Sequence, residues 1–302
     1  MPEPHNGPHD RLKEGKKSNR ASNYIMLKLW NALSFCLFLR ASIGSSENFD
    51  EQNVNYIVGG EVISVVNAPY QAVIFHNNEF HCGGNIVAPI WILTAGHCVV
   101  TRDELVFPAN DLFVRVGTDD PFEAGEMDQT VDTVFLHPYF SLRALNFDVS
   151  LLRLSGPLVY SERVRCIPMA PPGTLATPGE MIFVTGYGQT SARDTSPPAD
   201  THLRSIQVPV VDHDACNNVY APELAITDRM FCAAVTQDGT CHYDSGGPAV
   251  FQGQLLGLVS GGRTCGDQST PGLYALIPSM SDWIGDTIEL NSQHNPPDGQ
   301  CY

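Results

Sequence analysis

Residues 238–250 read Asp-Gly-Thr-Cys-His-Tyr-Asp-Ser-Gly-Gly-Pro-Ala-Val. Ser245 stands between Asp244 and the pair Gly246-Gly247, with Cys241 a few positions upstream. Two glycines in succession allow a turn too tight for bulky neighbours. A serine hydroxyl is a poor nucleophile until a base takes its proton. The segment is therefore either a nucleophile loop or an ordinary Gly-rich turn, and the choice depends on whether the rest of the chain supplies a base and a group to orient it. Outward from this stretch, the segments that do so are Trp91-Ile92-Leu93-Thr94-Ala95-Gly96-His97-Cys98 and Asn146-Phe147-Asp148-Val149-Ser150-Leu151-Leu152.

The chain has 302 residues and 43% apolar content, enough for one large or two modest domains with a real core. Seventeen basic against thirty-three acidic residues give a formal charge of -16, which argues against nucleic acid or an anionic membrane as partner. Residues 1–56 carry seven Lys or Arg and six acids, so the remainder carries ten against twenty-seven. Every basic residue after Lys28 is an arginine. Nine cysteines fall at 36, 82, 98, 166, 216, 232, 241, 265 and 301. After the first they are widely spaced, with no Cys-x-x-Cys pair of the kind zinc sites use, so they point to disulfides and an oxidising compartment.

Residues 1–25 form a polar extension without apolar period. From Met26 the chain reads as a basic start, a short apolar run through Leu39 and a small-residue region at Ala41 to Ser45. That is the pattern of a signal peptide over 26–45 rather than a membrane span. Either translation starts at Met26, which would explain the extension, or the leader works poorly and the protein is retained or anchored; removal of the leader takes Cys36 with it, leaving an even number of thiols.

Short apolar runs at 70–75, 82–87, 112–116, 131–137, 149–154, 181–184 and 203–211 alternate with polar turns such as His76-Asn77-Asn78. Such spacing favours an all-β body over βαβ units. The acids Asp119, Asp120, Glu123, Glu126 and Asp128 lack the spacing of a helical calcium loop, and a solvated acidic turn is the better reading. No metal or cofactor is expected.

The Asp-Ser-Gly-Gly-Pro stretch, together with His97-Cys98, the Asp148 segment and Ile57-Val58-Gly59-Gly60, resembles the chymotrypsin-like (trypsin-fold) secreted serine peptidases of family S1. The matching pieces run in family order over 57–290. The resemblance implies two six-stranded antiparallel β-barrels with a C-terminal helix, a short propeptide at 46–56 and a tail at 291–302. It implies a catalytic triad of Ser245 as nucleophile, His97 as general base and Asp148 as its orienting carboxylate. It pairs Cys82 with Cys98, Cys216 with Cys232 around a short helix, and Cys241 with Cys265. A bridge between Cys166 and Cys301 is the further expectation. It makes Tyr56-Ile57 the activation bond and Asp244 the partner of the new amino group. No Lys or Arg lies between Arg40 and Ile57, so a peptidase preferring aromatic residues, or the enzyme itself, would make that cut.

Gly239, Gly262 and Gly272 match the base and walls of the specificity pocket and carry no acid to offset a buried Lys or Arg. Aromatic or large apolar side chains are the expected choice before the scissile bond. Ser260 is expected to begin the edge strand that pairs with an extended substrate, and Gly261, standing for the family's tryptophan, to loosen binding upstream of the cut. Tyr187 likewise replaces a tryptophan. Tyr243 stands where the family has the glycine whose N–H joins that of Ser245 in the oxyanion hole. The alternative is therefore a weakly active or inactive homologue serving as a protein-binding or decoy molecule. Expected partners are protein or peptide substrates and protein protease inhibitors, for a monomer with no membrane attachment once mature.

Overall fold

A computed structural model describes residues 60–188, 201–233, 244–262, 270–292 and 301–302. All of them belong to the second of the chain's two units, Gln52–Tyr302. Two closed antiparallel barrels make up this body. The first comprises β2 (Gln71–His76), β3 (Glu79–Ala88), β4 (Trp91–Thr94), β5 (Leu112–Val116), β6 (Met127–Leu136) and β7 (Ser150–Leu154), hydrogen-bonded in the order β2-β3-β4-β7-β6-β5 and closed by β5 on β2. The second comprises β8 (Met181–Gly186), β9 (Arg204–Val211), β10 (Met230–Ala233), β11 (Pro248–Phe251), β12 (Gln254–Gly261) and β13 (Gly272–Leu276), in the order β9-β10-β13-β12-β11-β8 and closed by β8 on β9. A two-residue strand, β1 (Glu61–Val62), adds to the outside of β9. Helices α1 (His213–Tyr220) and α2 (Ser281–Asn291) complete the body. No helix among the described residues is long and apolar enough to cross a membrane.

The alternation that marks a half-buried strand is visible in β5, whose residues are buried at every second position. On β2 and β4 the alternation disappears from the sequence because both faces are covered. Ala72 and Ile74 of β2 point into the first barrel, whereas Val73 and Phe75 pack with Tyr187 and Leu203 of the second half. Trp91 and Leu93 of β4 likewise join Leu151 to Val250, Leu255, Leu258 and Ala275 of the second barrel and to Ile284 and Ile288 of α2. Each such side chain contributes about 1.5–3 kcal/mol relative to exposure. The seam between the barrels is thus an apolar core in its own right, and α2 seals it.

Turn chemistry agrees with the strand order. Asn77 and Asn78 have φ of 52° and 66°, the paired positive values of a two-residue hairpin turn between β2 and β3. The segment 203–211 begins one residue later than its apolar run suggests, and β3 extends beyond its run at both ends. Sulfur bridges join Cys82 to Cys98, Cys166 to Cys301 and Cys216 to Cys232, with Cα separations of 6.1, 5.5 and 6.3 Å. Cys216 lies within α1 itself, so the third bridge anchors the helix rather than merely enclosing it. Cys301 packs against the core of the first barrel, which brings the chain's end back across the molecule.

The acidic turn after β5 spends its carboxylates on protein donors. Asp119 accepts from the N–H of Val65 at 2.6 Å and from Arg163 Nη2 at 2.9 Å. Asp120 accepts from Phe122 N and Thr201 Oγ1, and Asp128 takes both Arg115 Nε and Nη2. These contacts tie the turn to both halves of the body.

Candidate active site

His97 sits on a single 3-10 turn, Gly96–Val99, directly after β4. The turn is fixed on one side by the Cys82–Cys98 bridge and on the other by an aromatic ring, since a Cβ on Gly96 would lie 2.8 Å from Phe140 Cδ2. The absence of a side chain at Gly96 is therefore matched by a ring that occupies the space.

Asp148 enters from the connection between β6 and β7 and is fully buried at its side chain. Its Oδ1 accepts the backbone N–H of His97 at 2.8 Å and its Oδ2 faces His97 Nδ1 at 2.9 Å. Ser260 Oγ donates to the same Oδ2 at 2.5 Å. A carboxylate removed from water is tolerated when its lone pairs are met by donors, and three donors meet these. Burial alone would push the His97 imidazole down. The adjacent Asp148 charge and its hydrogen bond outweigh that, and His97 is held above its ordinary value. The bond to Asp148 also makes Nδ1 the protonated nitrogen of the neutral ring, leaving the Nε2 lone pair free. Nε2 lies 3.8 Å from Cys98 Sγ, but both nearby sulfurs belong to the disulfide, so this trio offers no thiolate to a metal.

Ser260 differs from expectation. It lies near the end of β12, not at the start of a strand, and a register shift between Val259 and Gly261 leaves it as the extra residue of a bulge. A bulge re-aims the side chain it carries, here toward Asp148. Its sequence signal was weak, because one serine in an apolar strand is indistinguishable from a tolerated core hydroxyl until its neighbour is known.

Ser245 is half-buried at the tip of the turn before β11. Its carbonyl accepts the N–H of Gly83 at 2.8 Å, and Gly246 N–H donates to Val259 O at 2.8 Å. Gly246 has φ of 78°, and a Cβ there would fall 2.1 Å from Thr94 Oγ1 and 2.6 Å from Gly83 O. Only glycine fits. Asn85 Nδ2 reaches across to Gly246 O at 2.8 Å and also holds Leu93 O at 3.1 Å. The serine turn of the second barrel is thereby bonded to β3 and β4 of the first, the strands that lead into the His97 turn.

Asp244 is buried and accepts the Gly188 N–H at 2.8 Å. Cβ atoms on Gly186 and Gly188 would overlap its carboxylate, at 2.0 and 2.3 Å, so the glycines flanking Tyr187 exist to admit it. Tyr187 itself is fully buried, donates to Thr118 O at 2.7 Å and has its phenol pushed well up by burial. Here a tyrosine fills the expected tryptophan site while meeting its one polar need.

At the rim, the place a side chain on Gly261 would fill is already approached by Leu145, whose Cδ1 would be 3.2 Å from a Cβ there. Leu145 therefore borders the space left open at Gly261. Gly262 would place a Cβ 3.9 Å from Tyr220 Oη, and Gly272 opens β13 opposite Ala233. Gly239, Cys241, Tyr243, Cys265, Tyr56 and Ile57 lie outside the described residues.

Comparison with known proteins agrees with this architecture. Residues 57–284 match the sequence model of the Trypsin family. A vitellin-degrading protease of Bombyx mori is 31% identical over 260 residues, covering 85% of this chain and 95% of the relative. Trypsin-3 of Salmo salar is 33% identical over 239 residues, covering 78% and 94%. Anionic trypsin of Canis lupus familiaris is 32% identical over 267 residues, covering 87% and 100%. With the family's model matched across both barrels and relatives of this identity covered nearly end to end, the chain belongs to the trypsin family and is a serine endopeptidase.

Proposed function

We propose that Ser245 is the nucleophile, His97 the general base and Asp148 the residue that orients it, in a secreted, monomeric enzyme acting on proteins or peptides. The observation that carries this is the double grip of the buried Asp148 carboxylate on His97 N and Nδ1. It sets both the direction and the tautomer of the ring. Ser245 Oγ bonds to the substrate carbonyl carbon while His97 Nε2 takes the hydroxyl proton. The carbonyl oxygen gains the negative charge and accepts the N–H groups of Ser245 and Tyr243. Collapse breaks the C–N bond, and His97 returns the proton to the departing amine. Water then repeats the sequence against the acyl-enzyme. The Asp148 carboxylate, bonded to Nδ1, favours the imidazolium that forms in each transition state.

With glycine at 239, 262 and 272 the pocket offers volume without charge, which supports a preference for aromatic or large apolar residues before the scissile bond. That separates this chain's proposed specificity from what the names of its trypsin relatives suggest. Activation is assigned to cleavage after Tyr56, with the Ile57 amine directed to Asp244. Secretion rests on the leader at 26–45 and on the disulfides, and protein protease inhibitors are the natural regulators of such a cleft.

The test uses processed protein beginning at Ile57. Stoichiometric labelling by a serine-reactive phosphonate, abolished in Ser245→Ala, and turnover of aromatic peptides in preference to Lys or Arg peptides are the expected results. Labelling without turnover would support the second reading, in which the tyrosine at 243 spoils the oxyanion hole and the protein serves as a binder. Absence of labelling in correctly processed protein would overturn the assignment of Ser245.

A further inference from the structure

The loop that carries Asp148 is held by side chains the hydrolytic steps do not touch. Leu145 and Phe147 both have positive φ, 48° and 52°, a region that bulky L-residues occupy only when their surroundings demand it. Val149 N–H donates to Phe147 O at 2.7 Å, closing a three-residue turn with Asp148 at its centre. The direction of the carboxylate is therefore tied to where Phe147 is anchored.

That ring is anchored from both halves of the molecule. His137, in the β6–β7 connection, stacks on it with centroids 4.4 Å apart and planes 12° from parallel. The guanidinium of Arg229, immediately before β10, lies over the same ring at 4.4 Å. Arg229 Nε is buried and has no hydrogen-bond partner among the described residues, so the aromatic face is its principal contact there. His137 in turn packs on Trp283 of α2 at 4.8 Å, and its backbone N–H donates to Val149 O at 3.2 Å. Tyr139 N–H donates to His137 Nδ1 at 3.2 Å, which fixes the neutral tautomer. Thr227 Oγ1 reaches Asn146 Oδ1 at 2.9 Å and closes the same seam.

We propose that Arg229 and His137 are positioning residues that act through Phe147, holding Asp148 at the angle from which its two oxygens grip both His97 N and Nδ1. The inference rests on the triad reading above. Burial and the Arg229 charge push His137 down to about 4, so the stack stays uncharged on its imidazole side at working pH. The titratable groups that face His97 directly are Asp148 and the neighbouring His81, and the variants at Phe147 and Arg229 substitute neither, so a change in His97 titration reports the placement of Asp148.

The experiment compares Phe147→Leu, Phe147→Tyr, Arg229→Met and Arg229→Lys in the processed enzyme, with two readouts: steady-state kinetics against pH, and the titration of the His97 imidazole by NMR, which needs no turnover. Phe147→Leu is expected to lower kcat about tenfold to hundredfold, the scale set by small misplacements of a catalytic group. KM should change by less than about twofold, and His97 should titrate about half a pH unit lower as Asp148 loosens its hold. Arg229→Met should move both readouts the same way by less. Phe147→Tyr and Arg229→Lys, which keep the ring and the cation, should restore them. If Phe147→Leu does not fold, the Arg229 pair carries the comparison. A folded variant that loses rate while His97 titrates as in the parent overturns the inference, as does one that loses nothing. Asp148→Asn separates the two levels: an unimpaired Asp148→Asn enzyme overturns the triad and this inference with it. An impaired one beside an unmoved Phe147→Leu overturns the positioning role alone.

Discussion

Removing the Ser260 hydroxyl isolates one of the three donors on a buried carboxylate. Ser260 is 4% exposed and Asp148 1% exposed, so water has little access to replace the lost bond. A hydrogen bond to a charged group contributes about 1.5–3 kcal/mol, which is the expected loss of stability in Ser260→Ala. For a domain of this size that corresponds to roughly 3–12 °C in Tm. The effect on chemistry has a definite sign. With two donors instead of three, the Asp148 charge is less dispersed and attracts the imidazolium more strongly, so His97 rises further above its ordinary value. With His97 as the proposed general base, hydrolysis requires its neutral form, and the acid limb of kcat/KM should move to higher pH by a few tenths to about one pH unit. Differential scanning calorimetry and a pH–rate profile on processed protein provide both measurements. A Tm unchanged to within about 1 °C, or an acid limb displaced to lower pH, would refute the reasoning.

Other outcomes follow from the same geometry. His137 is depressed to about 4 by burial and by Arg229, so the unfolded chain binds a proton there that the folded one refuses. Stability should therefore fall as pH drops from about 6.5 to 4, by about 1–3 kcal/mol from this residue, and His137→Phe should flatten that part of the stability profile measured by urea titration. Replacing Cys166 and Cys301 together by alanine opens a bridge spanning 135 residues of sequence. The expected loss is about 2–4 kcal/mol, read as a lower denaturation midpoint with the active-site titre unchanged. Gly246→Ala forces a Cβ against Thr94 Oγ1 and Gly83 O at a positive φ, and should cost more than about 3 kcal/mol, giving little or no soluble processed protein on expression.

The Ser245 turn, the His97-Cys98 segment and the Asp148 segment are recognisable in the linear chain because short-range chemistry constrains them: a turn that admits only glycine at 246, a cysteine beside the histidine, an acid at the mouth of an apolar run. Strand rhythm was legible where one face meets water, as in β5, and hidden where both faces are covered, as in β4, whose four residues are all buried. Periodicity reports exposure, and a strand lodged between two barrels has none to report.

What the linear chain determined by itself was an all-β body, a set of widely spaced thiols and the residue types for acyl transfer in an order that matches a known family. Only the folded molecule decided how those types are held. Asn85 and Gly83 of one barrel bind the serine turn of the other, Ser260 leaves its strand's register to serve Asp148, and Leu145 fills space beside Gly261. Arg229 and His137 converge on Phe147 from positions 82 and 10 residues away in sequence. Such contacts join residues far apart along the chain, and their energies depend on distance and burial, neither of which a local pattern of residue types encodes.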